Sequence, residues 1–342
     1  MFARTFRLLA LPVESATHGP LYGALKYLIR SPVPLDGERA WRDATEASRP
    51  RFSWLARRYP PHFVRKLYVG SKLRLDHDVA VAAHYDASNE LFALILDRKS
   101  MFYSCADFIT GAESLEQAQE NKANDFIRLL SPRPGERILD LGCGWGGMLR
   151  RIYEETGDKE RLSGYTLSRE QLAYNERQGL FDVTLTNFVT TTYPDGHYDK
   201  IYSIGAWEHV RPNEVPALLR KLFRALKPGG RLIQQFICLP SERLPTTVMI
   251  GEQTFFPGSA LSSYKHQSQS WEAAGFGVIE QSIHDYQPTL RAWFDNLVAN
   301  RDRAIALVGV ERYNEFLVFF AGSWRCFKDL EGFVLRVALQ KA

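Results

Sequence analysis

The chain has 342 residues, 45% of them apolar and 24% charged, which excludes wholesale disorder and suits one large domain with an appendage. Its net charge of +4 conceals an asymmetry: residues 1–75 hold fourteen Lys or Arg against five Asp or Glu, a balance of +9, and the remainder carries −5. A basic segment on a mildly acidic body suits nucleic acid, an anionic membrane surface, or a solvated face with no partner.

The four cysteines, Cys105, Cys143, Cys238 and Cys326, are widely spaced and form no C-x-x-C pair. Neither a metal site nor a disulfide framework is expected, and a reducing, cytoplasmic setting fits best. No apolar run approaches the roughly 18 residues of a membrane span.

The N-terminal stretch from Met1 to Val13 sets basic residues before a short apolar run. The run is too brief for a signal peptide and lacks an A-x-A site, so it reads as an interfacial or docking helix. Leu21, Leu25, Leu28 and Ile29 fall at helical spacing, flanked by Lys26 and Arg30, and Ser31-Pro-Val-Pro34 stops that helix. This stripe fits packing on the body as well as membrane contact. Residues 1–75 are therefore expected to form a basic helical appendage, and residues 76–342 the main domain.

From residue 114 the pattern becomes regular. Ser114-Leu-Glu-Gln117 reads as a capping box opening a helix whose apolar stripe is Leu115, Ala118, Phe126, Ile127 and Leu130, closed by Pro132 and Pro134. A strand over 137–141 runs into the turn Gly142-Cys-Gly-Trp-Gly-Gly147, and a helix should begin near Met148. Strands are expected over 162–165, 198–204 and 231–237, and helices over 169–177 and 214–226. The segments 277–280 and 333–339 could supply the last strands. Repeated strand–helix–strand order implies a parallel sheet covered on both faces.

A glycine-rich turn between strand and helix lets backbone approach a ligand closely. By itself it does not separate dinucleotide enzymes from others. The spelling Asp140-Leu-Gly-Cys-Gly-Trp-Gly-Gly147 resembles the first motif of S-adenosylmethionine methyltransferases. Leu226-Lys-Pro-Gly-Gly230 resembles the turn before their fifth strand. In those enzymes the acidic residue and the glycines, here Asp140, Gly142, Gly144 and Gly146, hold the amino-acid end of the cofactor. The second strand ends without the usual carboxylate for the ribose, leaving Thr166 and Gln171 to do that polar work.

Several ordered stretches then resemble the cyclopropane-fatty-acid and mycolic-acid synthases: His84-Tyr-Asp-Ala-Ser-Asn89, Tyr103-Ser-Cys-Ala-Asp-Phe108, Glu116 to Lys122, Thr166-Leu-Ser-Arg-Glu-Gln171, Ser203-Ile-Gly-Ala-Trp-Glu-His209, Phe255-Phe-Pro-Gly258, and Asp285-Tyr286 with Leu290-Arg-Ala-Trp293. The resemblance runs from about residue 80 to the end. It implies a Rossmann-like class I methyltransferase fold, α/β, with a mostly parallel seven-stranded sheet and helices on both faces. It also implies cofactor contacts from Tyr103, Ser104, Thr166 and Gln171, with adenine contacts from Asn187 and Phe188.

The same resemblance implies transfer of a one-carbon unit to the double bond of an unsaturated acyl chain, giving a cyclopropane or a methyl- or methylene-branched product. A bicarbonate ion acts as base in the family, in a pocket that corresponds here to Cys105, Glu208, Tyr286, Ile237 and Gln235. The family has histidine where Gln235 stands. Glutamine can donate a hydrogen bond to an anion but carries no mobile proton. Weaker bicarbonate binding, Glu208 acting directly as base, or a shift from ring closure to branching all remain open at this point. Cys326 is expected to be packing, without a role.

The implied acceptor is an unsaturated phospholipid. The implied setting is cytoplasmic and peripheral to an anionic membrane, and a homodimer is compatible with it. Plant alkaloid N-methyltransferases share part of the pattern, so a small amine is the alternative acceptor. The motifs of the body that the resemblance assigns to the acceptor look lipid-like, and no nucleic-acid partner is expected.

Overall fold

The computed structural model describes residues 25–46, 74–86, 88–256 and 261–342. The docking helix expected at the N-terminus, Leu21, and Pro257-Gly258 lie outside the described residues.

Seven strands form one sheet in the order β3-β2-β1-β4-β5-β7-β6. They are β1 (Ile138–Leu141), β2 (Leu162–Thr166), β3 (Asp182–Leu185), β4 (Tyr198–Ile204), β5 (Leu226–Cys238), β6 (Phe276–His284) and β7 (Phe333–Lys341). The first five pair in parallel, and β7 runs antiparallel between β5 and β6.

The helices are α1 (Gly37–Glu46), α2 (Arg74–Tyr85), α3 (Asn89–Ile95), α4 (Leu115–Leu130), α5 (Gly147–Thr156), α6 (Arg169–Gln178), α7 (Val215–Ala225), α8 (Thr246–Phe255), α9 (Tyr264–Ala274), α10 (Gln287–Ala299) and α11 (Arg301–Lys328). The Ser114–Gln117 capping box is present, a feature worth about 1 kcal/mol. It starts α4 so that Leu115, Ala118, Phe126 and Leu130 face inward, with Ile127 at the margin.

Three cores result. One face of the sheet buries Leu218, Leu219 and Leu222 of α7 and Trp271 of α9. The other buries Phe126 of α4 and Met148, Leu149 and Ile152 of α5. A third core of Phe92, Trp293, Phe294, Phe316 and Phe320 joins α3, α10 and α11, and Trp41 of α1 packs on it. Asn314 of α11 ties down the segment before α1, accepting from Leu35 N–H at 2.8 Å. Ile29 is buried, whereas Leu28 and its neighbour Tyr27 are exposed, so only part of the expected stripe packs inward.

β5 starts five residues earlier than the apolar run suggests. Leu226 pairs with Tyr198, the Lys-Pro-Gly-Gly residues bulge out, and pairing resumes at Arg231 against Lys200. β6 extends to His284 because main-chain pairing with β7 sustains an edge strand whose side chains are mostly exposed. No apolar alternation marks such a strand. The chain between β5 and β7 holds four helices that strand–helix alternation does not announce.

Candidate active site

β1 delivers Asp140 to the carboxyl end of the sheet, where α/β folds place ligands. The turn after it needs glycine for steric reasons: Gly142 has φ +92°, and a Cβ there would lie 2.3 Å from Ala206 Cβ. Gly142, Gly144 and Asp140 form one side of a pocket, with Tyr103, Ser104, Thr166, Gln171 and Phe188 around it. Thr166 Oγ1 donates to Gln171 Oε1 at 2.8 Å, so these two buried groups arrive as a pair. The Phe188 ring lies nearly parallel to Trp207.

Two expected cofactor residues stand apart from this wall. Gly146 packs against Asn175, where a Cβ would fall 2.4 Å from Oδ1, and it serves the start of α5. Asn187 turns to Asp78, donating from Nδ2 at 2.7 Å, and its Oδ1 accepts from Val189 N–H.

Asp140 is the electrostatic centre of the pocket. Burial pushes its carboxyl up to about 8, and its Oδ1 has no hydrogen-bond partner among the described residues. A buried carboxylate oxygen without a partner is costly, and an ammonium group would satisfy it. With the open glycine turn and the Thr166–Gln171 pair, this suits the amino-acid end and ribose of S-adenosylmethionine.

A second cavity, of about 450 Å3, shares Tyr85, Tyr103, Gly205 and His209 with the first. Its wall is mainly apolar and aromatic, drawn from α8, α10 and α11, and its size is that of a small-molecule site. Glu208, Ile237 and Tyr286 line it. The Ile237 N–H donates to Glu208 Oε1 at 3.0 Å, and burial lifts the Glu208 carboxyl to about 7. Burial also raises Tyr286 and keeps its hydroxyl protonated. Tyr85 and His209 meet at 3.2 Å between the hydroxyl and Nε2, at the junction of the two cavities.

Cys105 and Gln235 are not in this wall. Burial pushes the Cys105 thiol up, and its Sγ donates to the Asp285 carbonyl. Gln235 is directly opposed to Arg336 in the β5–β7 register, and Arg336 donates to its Oε1 from Nε and Nη2. Gln235 Nε2 donates to the Cys105 carbonyl at 2.9 Å. Both ends of the amide are engaged, and of the five residues expected around an anion only Glu208, Ile237 and Tyr286 line the cavity.

Arg336 continues to Asp107 and Asp125. Although burial raises Asp107, hydrogen bonds from His284 and Arg336 hold it down to about 2. Beside this cluster the buried Lys122 donates to Ser104 Oγ at 2.9 Å, and burial pulls its ammonium down to about 7.

Sequence reasoning assigned no role to Tyr85, Arg336, Lys122 or Asn89. Arg336 had a signal, since a lone cation within Phe333-Val-Leu-Arg-Val-Ala-Leu339 demands a buried partner. Asn89 Oδ1 accepts from Trp145 Nε1 at 2.7 Å, and Ser168 Oγ donates to Asp86 Oδ1 at 2.5 Å. The His84-to-Asn89 stretch thereby fastens α2 and α3 to both cofactor loops. Cys326, expected to be simple packing, lies on the cavity wall.

The family model for mycolic acid cyclopropane synthetase matches residues 74–335. A probable fatty acid methyltransferase of Mycobacterium tuberculosis is 33% identical over 255 residues, covering 71% of this chain; the chain spans 58% of that relative's length. Cyclopropane mycolic acid synthase 2 of Mycobacterium bovis is 31% identical over 283 residues, covering 73% of this chain and 90% of that protein. The crystal structure of mycolic acid cyclopropane synthase CmaA1 complexed with SAH and CTAB superposes with a TM-score of 0.70 at 30% identity, over 78% of this chain and 98% of that one.

Proposed function

The chain belongs to the mycolic acid cyclopropane synthetase family of S-adenosylmethionine-dependent methyltransferases, and we propose that it transfers a one-carbon unit to the double bond of an unsaturated acyl chain carried on a phospholipid. The observation that carries this reading is the junction itself: an apolar cavity opens onto the cofactor pocket through Tyr85, Tyr103, Gly205 and His209, with the carboxyl of Glu208 beside it. An apolar chain fits that cavity, and a buried base fits an alkene acceptor.

S-adenosylmethionine, when bound, supplies an electrophilic methyl group. Asp140 would hold the cofactor's ammonium, Thr166 and Gln171 its ribose and Phe188 its adenine, with Tyr103 and Ser104 also lining the pocket. An isolated alkene is a weak nucleophile, so the cavity must hold it in line and exclude water. Methyl addition leaves positive charge on a chain carbon and a proton to be lost. Glu208, ionising near neutrality, takes that proton, its carboxylate held in place by the Ile237 N–H on Oε1. Loss of the proton from the new methyl closes a cyclopropane, and loss from a neighbouring carbon gives a branch.

The family's bicarbonate does not suit this arrangement, because Gln235 and Cys105 are committed to Arg336 and Asp285. Glu208 is the base without it.

The basic segment over residues 1–75 brings the protein to anionic lipid, and residues 76–342 form the catalytic domain, with Ala44 of α1 completing the wall of the acceptor cavity. Among the described residues no helix is long and apolar enough to cross a membrane, and the protein works from the cytoplasmic face, peripherally attached to anionic lipid.

The test is mass spectrometry of lipids after the protein is incubated with S-adenosylmethionine and unsaturated phospholipid vesicles, with Glu208→Gln as control. A gain of one CH2 per acyl chain, absent in the control, is expected, and fragmentation separates ring from branch. No gain across several chain types, with cofactor binding intact, moves the acceptor to a small amine.

A further inference from the structure

Glycine inside a helix weakens it, so each such residue needs a reason. Two helices that wall the acceptor cavity each contribute one glycine to that wall: Gly251 in α8 and Gly322 in α11. Neither has the positive φ that would demand glycine. Neither is there to admit a close neighbour, because a Cβ built on each meets no heavy atom within 4 Å. Backbone geometry and packing both leave these glycines unexplained, while the cavity they line explains them.

The two positions line the same cavity. α8 and α11 run in opposite directions, with Phe255 against Phe319 at 5.0 Å between rings, and Thr247 bonded to Glu331 beyond the far end. Gly251 precedes Phe255 by one turn and Gly322 follows Phe319 by one turn, which puts both at the same level of the cavity. Ala44 of α1, another small residue, also lines the wall.

We propose that Gly251 and Gly322 are specificity-determining positions, whose missing side chains leave the room in which the acyl tail of a long-chain acceptor lies. This rests on the acyl-acceptor reading above. Larger side chains at either position fill that room and restrict the protein to shorter tails, with the cofactor pocket untouched.

The experiment uses the full chain with S-adenosylmethionine and phospholipid vesicles bearing myristoleoyl, palmitoleoyl or oleoyl chains, with products measured by mass spectrometry. Gly251→Leu and Gly322→Leu are expected to lower the oleoyl-to-myristoleoyl product ratio about tenfold or more, with SAH affinity unchanged by calorimetry. Gly251→Ala and Gly322→Ala, which suit a helix, should shift the ratio the same way by less and serve if a leucine variant fails to fold. An unchanged ratio in folded variants, or an equal loss on all chains, overturns the proposal. Absence of any acyl product from the unaltered protein overturns the acceptor reading itself, so the two failures are distinct.

Discussion

Glu208 Oε1 accepts the Ile237 main-chain N–H at 3.0 Å, while Glu208 Oε2 has no hydrogen-bond partner among the described residues. One oxygen is anchored to the sheet and the other is buried without a partner. The same burial that raises this carboxyl to about 7 makes it a competent base near neutrality.

Turnover under saturating cofactor should therefore rise as pH climbs through about 7 and level off above, since only the ionised form accepts a proton. Glu208→Gln should lower kcat by about 10^2- to 10^4-fold. Stability moves the other way. A carboxyl whose folded value lies above its unfolded one loses stability as pH rises from about 4.5 through about 7. Glu208→Gln removes that loss, so its melting temperature above pH 7 should equal or exceed that of the unaltered protein. A variant that loses activity and stability together would contradict the assignment.

Asp140 predicts proton-linked cofactor binding. Its folded carboxyl, at about 8, is largely protonated at pH 7, and pairing with an ammonium requires it to ionise. SAH binding at pH 7 should release a proton, visible as a dependence of the calorimetric enthalpy on buffer ionisation heat. Affinity should rise with pH up to about 8 and then flatten. Asp140→Asn should abolish the proton release.

Gln235 is a structural amide in this geometry, which predicts indifference to bicarbonate. Turnover measured in carbon-dioxide-free buffer should match turnover with added bicarbonate. Gln235→Ala leaves one face of the buried Arg336 without its acceptor and should cost about 1–3 kcal/mol of stability in denaturant titration. Strong activation by bicarbonate would show that the ion is bound here without Gln235.

The Asn89–Trp145 hydrogen bond ties α3 to the glycine turn. Asn89→Ala leaves the largely buried Trp145 indole N–H without that acceptor, at a cost of about 1–3 kcal/mol. If the bond holds the loop ready for cofactor, SAH should dissociate about tenfold more readily, with kcat at saturating cofactor little altered. A fall in kcat with unchanged affinity would place the effect elsewhere.

The sequence by itself determined the parallel sheet, the glycine turn after β1, the capping box of α4 and the family. Each depends on local steric rules or spacings of a few residues that neighbours in the chain enforce. It also pointed to Glu208 and Asp140, because strand ends in such sheets face the site. Only the tertiary structure decided which way the remaining side chains turn. Gln235 is drawn to Arg336 across the β5–β7 register, 101 residues along the chain, and Asn187 is drawn to Asp78, 109 residues away. A buried polar group goes to whichever partner satisfies it, and that partner is chosen by packing between distant segments. For the same reason no motif announced the cavity between α8 and α11: it is space left by two helices, and its width depends on side chains that Gly251 and Gly322 lack.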